Sequence, residues 1–557
     1  MHSNKSFTHL LIIISLFVLL NITSYSQNHT SWSYNLGLYE VNVRQYTEEG
    51  TFAAFETHLP RLKEMGAGIL WFMPIHPIGE KNRLGTLGSY YSVQDYMDVN
   101  PEFGTLSDFK NLVSKAHDMG FYVLIDWVAN HTAWDNPLTI SNPEWYTKDA
   151  QGNFMPPEGT DWSDVIDLDY SKQGLRDYMI DAMKFWITET DIDGFRCDAA
   201  SMVPLVFWET AIKELKDIKP DILMLAEADG TEYEDVGFDM TFAWGLYGFG
   251  GGVFSNIING SYNGYNANFL NTYLTKELNY FSDEHYRLYF TSNHDENSWY
   301  GTVFERFDDA AEIFAVITLT MNDMPLIYSG QEAGLNKRLQ FFEKDLINWK
   351  EHPFYDIYKT LLDIKKENSA LWNGNAGSNA NRVLTTNNLD VFAFVRQKGL
   401  DKIFALFNLT DSTQVIVPTE GLYADTYLNV FTDDTVTIDE ETEIELPPWG
   451  YKIFIKDYKM TGINKNESLV SDFRLEQNYP NPFNPTTTIR YNIPFSTNVK
   501  ITVYDVLGNY IQTIVNRKHS GGKYEVVFNG YNLSSGVYFY TMLTDVGVIT
   551  KKLLLMK

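Results

Sequence analysis

Short apolar runs alternate with stretches of helical spacing from Tyr34 to Ser329, and that order leaves few folds open to the chain. The strand-like runs occupy residues 36–43, 68–74, 122–126, 222–227, 287–290 and 325–329, with one more around Gly194. Helical stretches at 52–65, 175–188, 204–218 and 310–320 lie between them. Phe109, Leu112, Val113 and Ala116 mark the apolar stripe of a further helix, entered at Asp108 and ended by Gly120. Tyr122-Val-Leu-Ile-Asp126 is a short, continuous apolar run, as in a sheet covered on both faces. Repeated β–α units of this kind form an α/β fold, either a parallel barrel or a doubly wound sheet. One connection breaks the rhythm. Between His131 and Leu175 runs a long irregular stretch rich in Trp, Asp, Pro and Gly, the mark of a functional loop or a small inserted domain.

At 557 residues the chain exceeds what one core supports, and the pattern changes along it. After Trp372 only strands follow, at 391–396, 402–408, 443–446 and 451–455, alternating as in an antiparallel sandwich. A polar linker at 459–472 leads to a Pro/Asn-rich segment, several short strands and a basic end at 551–557. At the other terminus Lys5 precedes an apolar run at 10–20 and small residues at Ser24 and Ser26, which reads as an export signal cleaved after Ser26. That run is too short to span a bilayer comfortably, and no other stretch reads as transmembrane. A net charge of −29 argues against a nucleic-acid partner, which wants a basic footprint. With Cys197 the only cysteine, no intrachain disulfide can form, and a buried structural thiol is expected.

The chemistry lies in acids at strand ends. In Asp191-Ile-Asp-Gly194-Phe-Arg196-Cys197-Asp198, the two-residue period of a strand puts Gly194, Arg196 and Asp198 on one face. A guanidinium fixed beside a carboxylate holds it ionised and aimed, as a nucleophile requires, although a structural ion pair has the same signature. Asp126, Glu227 and Asp295 also fall at or just after strand ends, and in a barrel such ends converge on one face. Each acid comes with donors: Asp126 with Asn130 and His131, Asp198 with Arg196, Asp295 with Asn293 and His294. A charged nucleophile, a separate acid and donors suited to hydroxyls describe glycoside chemistry.

Asp126-Trp-Val-Ala-Asn130-His131, Gly194-Phe-Arg196-Cys-Asp198-Ala, Ala226-Glu227-Ala and Ser292-Asn-His294-Asp295-Glu-Asn resemble the four ordered motifs of the alpha-amylase family of glycoside hydrolases, family 13. Tyr39-Glu-Val-Asn-Val-Arg-Gln-Tyr46, Trp71-Phe-Met-Pro-Ile75, Gly88-Ser-Tyr-Tyr91 and Tyr328-Ser-Gly-Gln-Glu332 are similar to its supporting stretches. The resemblance implies a (β/α)8 barrel over 27–375, an inserted domain at 131–174 after the third strand, and a β-sandwich at 376–458. It also implies a retaining attack on α-1,4-glucans. Asp198 would be nucleophile, Glu227 acid and base, and Asp295 the third carboxylate gripping ring hydroxyls. Tyr91, Asp126, His131, Arg196 and His294 would form the substrate-binding set, with Arg196 orienting Asp198 and Asp126 supporting the network. Transfer to a sugar hydroxyl on the same fold and a catalytically silent surface glucan binder are the alternatives.

No cofactor is needed for that chemistry. A structural calcium is an expectation that the resemblance carries, with Asn130 and Asp167 or Asp169 as ligands, residues that could equally cap turns. Many family members carry Lys-His where this chain has Ser201-Met202, and a His where it has Ser89-Tyr90 before the stacking tyrosine; the differences bear on chain-length preference. A second resemblance covers 473–557. Leu475-Glu-Gln-Asn-Tyr-Pro-Asn-Pro-Phe-Asn-Pro485, Val503-Tyr-Asp-Val-Leu-Gly508 and Gly536-Val-Tyr-Phe-Tyr540 are similar to the C-terminal sorting domain of type IX secretion cargo. It implies a small terminal β-sandwich, partnership with that secretion machinery, and a secreted or cell-surface location in a Gram-negative bacterium.

Overall fold

The computed structural model describes residues 30–261, 263–456, 474–493, 497–506, 509–519, 522–544 and 547–557. The expected export signal at 1–26 and the linker at 459–472 lie outside the described residues. Eight parallel strands close into a barrel. They are β1 (Leu38–Val41), β2 (Ile69–Phe72), β3 (Tyr122–Val128), β4 (Gly194–Asp198), β5 (Leu223–Ala226), β6 (Met240–Phe242), β7 (Tyr286–Tyr289) and β8 (Met324–Tyr328). Around the ring each strand pairs with its sequence neighbours, and β8 closes on β1 through Leu38↔Leu326. Closure decides between the two sheet types the alternation allowed.

β6 has no counterpart among the apolar runs of the sequence. Its three residues are too few to show a period, and the tertiary partners on either side define it. The stretch at 52–65 is two helices, Phe52–Glu56 and Leu59–Met65, because Pro60 near the start of the second has no N–H to continue the first. The helix Leu106–Asp118 begins on a capping box in which Thr105 and Asp108 satisfy each other's backbone N–H. Helices Gly252–Ile258, Asn266–Tyr280 and Pro353–Glu367 had no place in the sequence reading. The long connection after β3 carries short helices and one antiparallel pair, His131–Ala133 with Val165–Asp167.

Beyond the barrel, a six-stranded antiparallel sheet packs by its two-residue period. From the strand Val391–Lys398, Phe392 and Phe394 join the barrel's core, whereas Val391, Ala393 and Val395 fill the sheet's own. The neighbouring strand Asp401–Asn408 divides in the same way, Ile403, Ala405 and Phe407 against Phe404 and Leu406. Buried Arg396 donates to the carbonyls of Thr320, Met321, Trp372 and Ser378, tying sheet to barrel. The last strands, between Arg474 and Leu555, form a three-stranded and a four-stranded sheet around a separate core that includes Ile489, Tyr491, Ile501 and Tyr540.

Gly194 opens β4, the strand that carries Arg196 and Asp198. A Cβ there would drive into the Leu223 carbonyl oxygen of β5, with the Leu124 side chain of β3 at 3.1 Å. Gly194→Ala must therefore push β4 and β5 apart, and should cost about 1–3 kcal/mol or more. Thermal unfolding of the variant should show the loss, with activity falling beside it because β4 ends in Asp198 and Glu227 directly follows β5.

Candidate active site

Arg196 is wholly buried at the C-terminal end of the barrel, its guanidinium set among three carboxylates from three adjacent strands. Nη1 donates to Asp198 Oδ1 at 2.9 Å and to Asp126 Oδ1 and Oδ2 at 3.0 and 3.1 Å. Nη2 lies 2.7 Å from Glu227 Oε1 as an ion pair, without hydrogen-bond alignment. Asp126, also wholly buried, accepts from Trp71 Nε1 and from the Tyr91 hydroxyl, each at 3.1 Å. Directly after β4, Ala199 takes a left-handed conformation at φ 43°, and its N–H donates to Glu227 Oε2 at 2.7 Å. A non-glycine residue in that region carries strain, and here the strain aims a donor at the acid.

A second cation stands opposite. His294 Nδ1 meets Glu40 Oε1 of β1 at 2.5 Å, while Nε2 faces Asp295 Oδ2 at 3.2 Å and the Tyr91 hydroxyl at 2.8 Å. Burial opposes charge on the imidazole, but Asp295 and Glu40 outweigh it and hold His294 well above the usual histidine range. Burial likewise opposes the charge on Asp295, yet the neighbouring imidazolium leaves that carboxylate below its ordinary value. Asp198 and Glu227 go the other way. Burial, working against Arg196, pushes both up to about 7. Asp126 rises to about 6 for the same reason, and burial takes His131 down to about 4, so that imidazole is neutral.

These groups face a cavity of about 580 Å³. Asp198, Glu227, Asp295, Tyr91, His131 and His294 all line it, together with Trp162, Trp299, Tyr300 and Phe341. Asp126 and Arg196 do not. Both sit beneath the wall with no exposed surface, so their place among sugar-contacting residues is corrected: they position Asp198, Tyr91 and Glu227 from below. A π-helical turn, Glu296–Tyr300, follows Asp295 directly and brings Trp299 and Tyr300 to the rim of the cavity that Asp295 also lines. Turns of this kind recur at functional sites. The aromatic wall escaped sequence reasoning because its rings come from separate loops that have no period. Glu40 left a trace, a charge inside an otherwise apolar strand.

The residues expected to hold calcium have protein partners. Asp169 is paired with the Lys172 ammonium at 3.1 Å, and Asp167 accepts from the Thr147 hydroxyl at 2.6 Å. The Asn130 amide nitrogen lies 3.4 Å from His131 Nδ1. Among the described residues no group of three or more His, Cys, Asp or Glu side chains is arranged to hold a metal ion.

The family model of the alpha-amylase catalytic domain matches residues 29–155 and 139–376. The chain belongs to the alpha-amylase family. It is 25% identical over 467 residues to Alpha-amylase 3 of Dictyoglomus thermophilum, covering 71% of this chain and 89% of that one. A crystal structure of an alpha-amylase from Lactobacillus plantarum aligns with a TM-score of 0.67 at 29% identity, over 76% of this chain and all of that one (100%). An alpha-1,4-glucan:maltose-1-phosphate maltosyltransferase of Mycolicibacterium smegmatis is 33% identical over 197 residues, 32% of this chain and 28% of that protein. A second model, the secretion system C-terminal sorting domain, matches residues 477–556 and marks this alpha-amylase family enzyme for type IX export to the surface or beyond.

Glu40 touches nothing but protein, and its effect on chemistry runs through His294. Its substitution Glu40→Gln removes one of the two carboxylates that keep the imidazolium charged, while Asp295, Asp126 and Arg196 stay around the ring. His294 then loses its proton at lower pH, and an NMR titration of its imidazole in the variant should show the drop. The rate should fall about 10- to 100-fold, the worth of one charged hydrogen bond. Thermal melting alongside the titration separates this from loss of fold.

Proposed function

We propose that this enzyme hydrolyses α-1,4-glucans such as starch and maltodextrins with retention, through a glycosyl-enzyme on Asp198. The observation that carries the reading is the pair of cavity-lining carboxylates on the two terminal nitrogens of one guanidinium, Asp198 on Nη1 and Glu227 on Nη2. A shared fork keeps them close, and close carboxylates favour retention: retaining pairs stand about 5–5.5 Å apart, whereas inverting pairs leave room for water at about 6.5–9.5 Å.

In the first step Asp198, aimed by Arg196, attacks the anomeric carbon as Glu227 gives its proton to the departing glycosidic oxygen. In the second, Glu227 takes a proton from water, which displaces Asp198. With both acids near 7, the pair holds a proton to give at neutral pH, and Arg196 biases the negative charge toward Asp198, to which it is hydrogen-bonded. Asp295, His131 and His294 would bind hydroxyls of the sugar being cleaved, with Tyr91 beneath the ring. Contacts that tighten as the ring flattens lower the barrier without merely deepening substrate binding. No step is routed through a metal.

The maltosyltransferase relatives favour one second reading, transfer to a sugar hydroxyl in place of water. A product time course on maltoheptaose decides between them: shorter oligosaccharides alone support hydrolysis, and products longer than the substrate would overturn it. A silent binder is the weaker reading, since burying acids near 7 beside a cavity is costly without chemistry to perform. Export through the signal at 1–26 followed by type IX secretion in a Gram-negative cell completes the proposal.

Two substitutions check the roles. Asp198→Asn should abolish turnover while glucan binding stays measurable by calorimetry. Glu227→Gln should lower the rate on maltooligosaccharides about 10²- to 10⁴-fold. The same variant should recover much of its rate on α-maltosyl fluoride, whose leaving group needs no proton, and its glycosylation step should lose the alkaline limb near pH 7.

A further inference from the structure

Outside the cavity, three rings stand in one stack. Phe242 at the end of β6 is wholly buried, and its ring lies 5.0 Å from Trp244 with 16° between the planes. Trp244 in turn lies 4.7 Å from Phe249 with 18° between them. The stack therefore rises from the barrel core to the surface, and Phe249 caps it with 59% of its surface exposed. One face of that ring is covered by Trp244. Among the described residues no ring stacks on the other face, and beside it Tyr300 stands edge-on at 6.0 Å, itself part of the cavity wall.

The loop that presents Phe249 has almost no other side chain to offer. Its neighbours are Gly248, Gly250, Gly251 and Gly252. Gly250, at φ +77°, must be glycine, since a Cβ would come within 2.8 Å of the Tyr300 ring. Phe249 itself is left-handed at φ 44°, a conformation that disfavours a side chain this large. Loops this rich in glycine are ordinarily loose, yet this one is fastened. The Glu296 carboxylate accepts from the N–H of Phe249 at 2.9 Å and of Gly250 at 3.4 Å. Glu296 is wholly buried, is ion-paired with Arg306 at 2.7 Å, and directly follows Asp295 in the chain.

An exposed aromatic ring that costs backbone strain and is pinned to the segment bearing a site carboxylate needs a reason. Building on the functional reading above, we propose that Phe249 is a platform on which a sugar ring of the glucan chain stacks outside the cavity, and that it sets a preference for longer chains. The next member of the stack is then a pyranose, whose apolar C–H face suits an aromatic ring. Continuity through Tyr300 makes the occupant the same chain that fills the cavity. Glu296 acts as a positioning residue, holding the platform in register with Asp295.

The test compares the full mature enzyme with Phe249→Ala, Phe249→Tyr and Glu296→Gln on maltotriose and maltoheptaose. A chain that ends within the cavity does not reach Phe249. Phe249→Ala should therefore raise KM and lower kcat/KM on maltoheptaose about three- to tenfold, the worth of one aromatic contact, and leave maltotriose within about twofold. Phe249→Tyr keeps the ring and should keep the wild-type ratio between the two substrates. Glu296→Gln should reproduce the length-dependent KM effect with kcat on maltotriose retained; an equal loss on both substrates would remove it from the account as a mere fold support. Equal effects of Phe249→Ala on both substrates, or none on either, would overturn the platform while leaving the hydrolase reading intact. A wild-type enzyme inert on both would instead sink that reading and the platform with it.

Discussion

The whole site hangs on one buried guanidinium. Taking an arginine wholly out of water is costly unless its charge is met, and Arg196 meets carboxylates from β3, from β4 and from the turn after β5. Those elements are neighbours in the barrel ring, so the ion cluster requires the same closure that the backbone register provides. The dependence runs both ways. Without closure the three acids would not converge, and without Arg196 three buried carboxylates would face one another uncompensated. Above it, Asp198 and Glu227 have a side open to the cavity, while Asp126 is spent entirely on holding the arginine, Trp71 and Tyr91 in place.

A second cation divides the labour. With Arg196 alone, Asp295 would be one more buried acid raised by its surroundings. His294, held charged by Asp295 and Glu40, keeps Asp295 ionised in return, while burial raises Asp198 and Glu227 to about 7. The result is a set of carboxylates with different standing charges in one cavity, which acid–base work demands and a uniform patch of acids would not give. The Tyr91 hydroxyl links the two halves, touching Asp126 on one side and His294 on the other. Its ring faces the cavity only because both ends of this network fix it.

How much of this could be read from the chain differs by kind of residue. The acids were legible because a strand's two-residue period and its C-terminal end tell where Asp126, Asp198 and Glu227 must go, and charge at such positions in an apolar run stands out. Which of them would see substrate was not legible. Arg196 and Asp198 share a strand face, yet two residues of depth put one under the wall and the other on it. β6 was invisible because three residues carry no period. The aromatic wall was invisible because Trp162 and Phe341 lie in loops and Trp299 in a single π-helical turn, segments whose approach is set by packing alone. Asp167 and Asp169 match a cation's taste in ligands, and their contacts with Thr147 and Lys172 are set by the fold and leave no trace in the sequence.

Two strained backbone positions serve the acids at and beside the cavity. Ala199 and Phe249 are both non-glycine residues at positive φ, and each directs a backbone N–H at a carboxylate: Ala199 at Glu227, Phe249 at Glu296. A relaxed turn at either point would aim its N–H elsewhere and leave a buried acid with one donor fewer. Ala199 directly follows β4, a strand paired on both sides, and Phe249 follows β6 after one helical turn, Trp244–Tyr247, so each strained position is anchored to the barrel. Rigidity in the strands is therefore what permits unfavourable backbone in the loops, and the loops convert it into fixed donors around the cavity. A site built on loops alone would relax; one built on strands alone could not turn its N–H groups toward the acids.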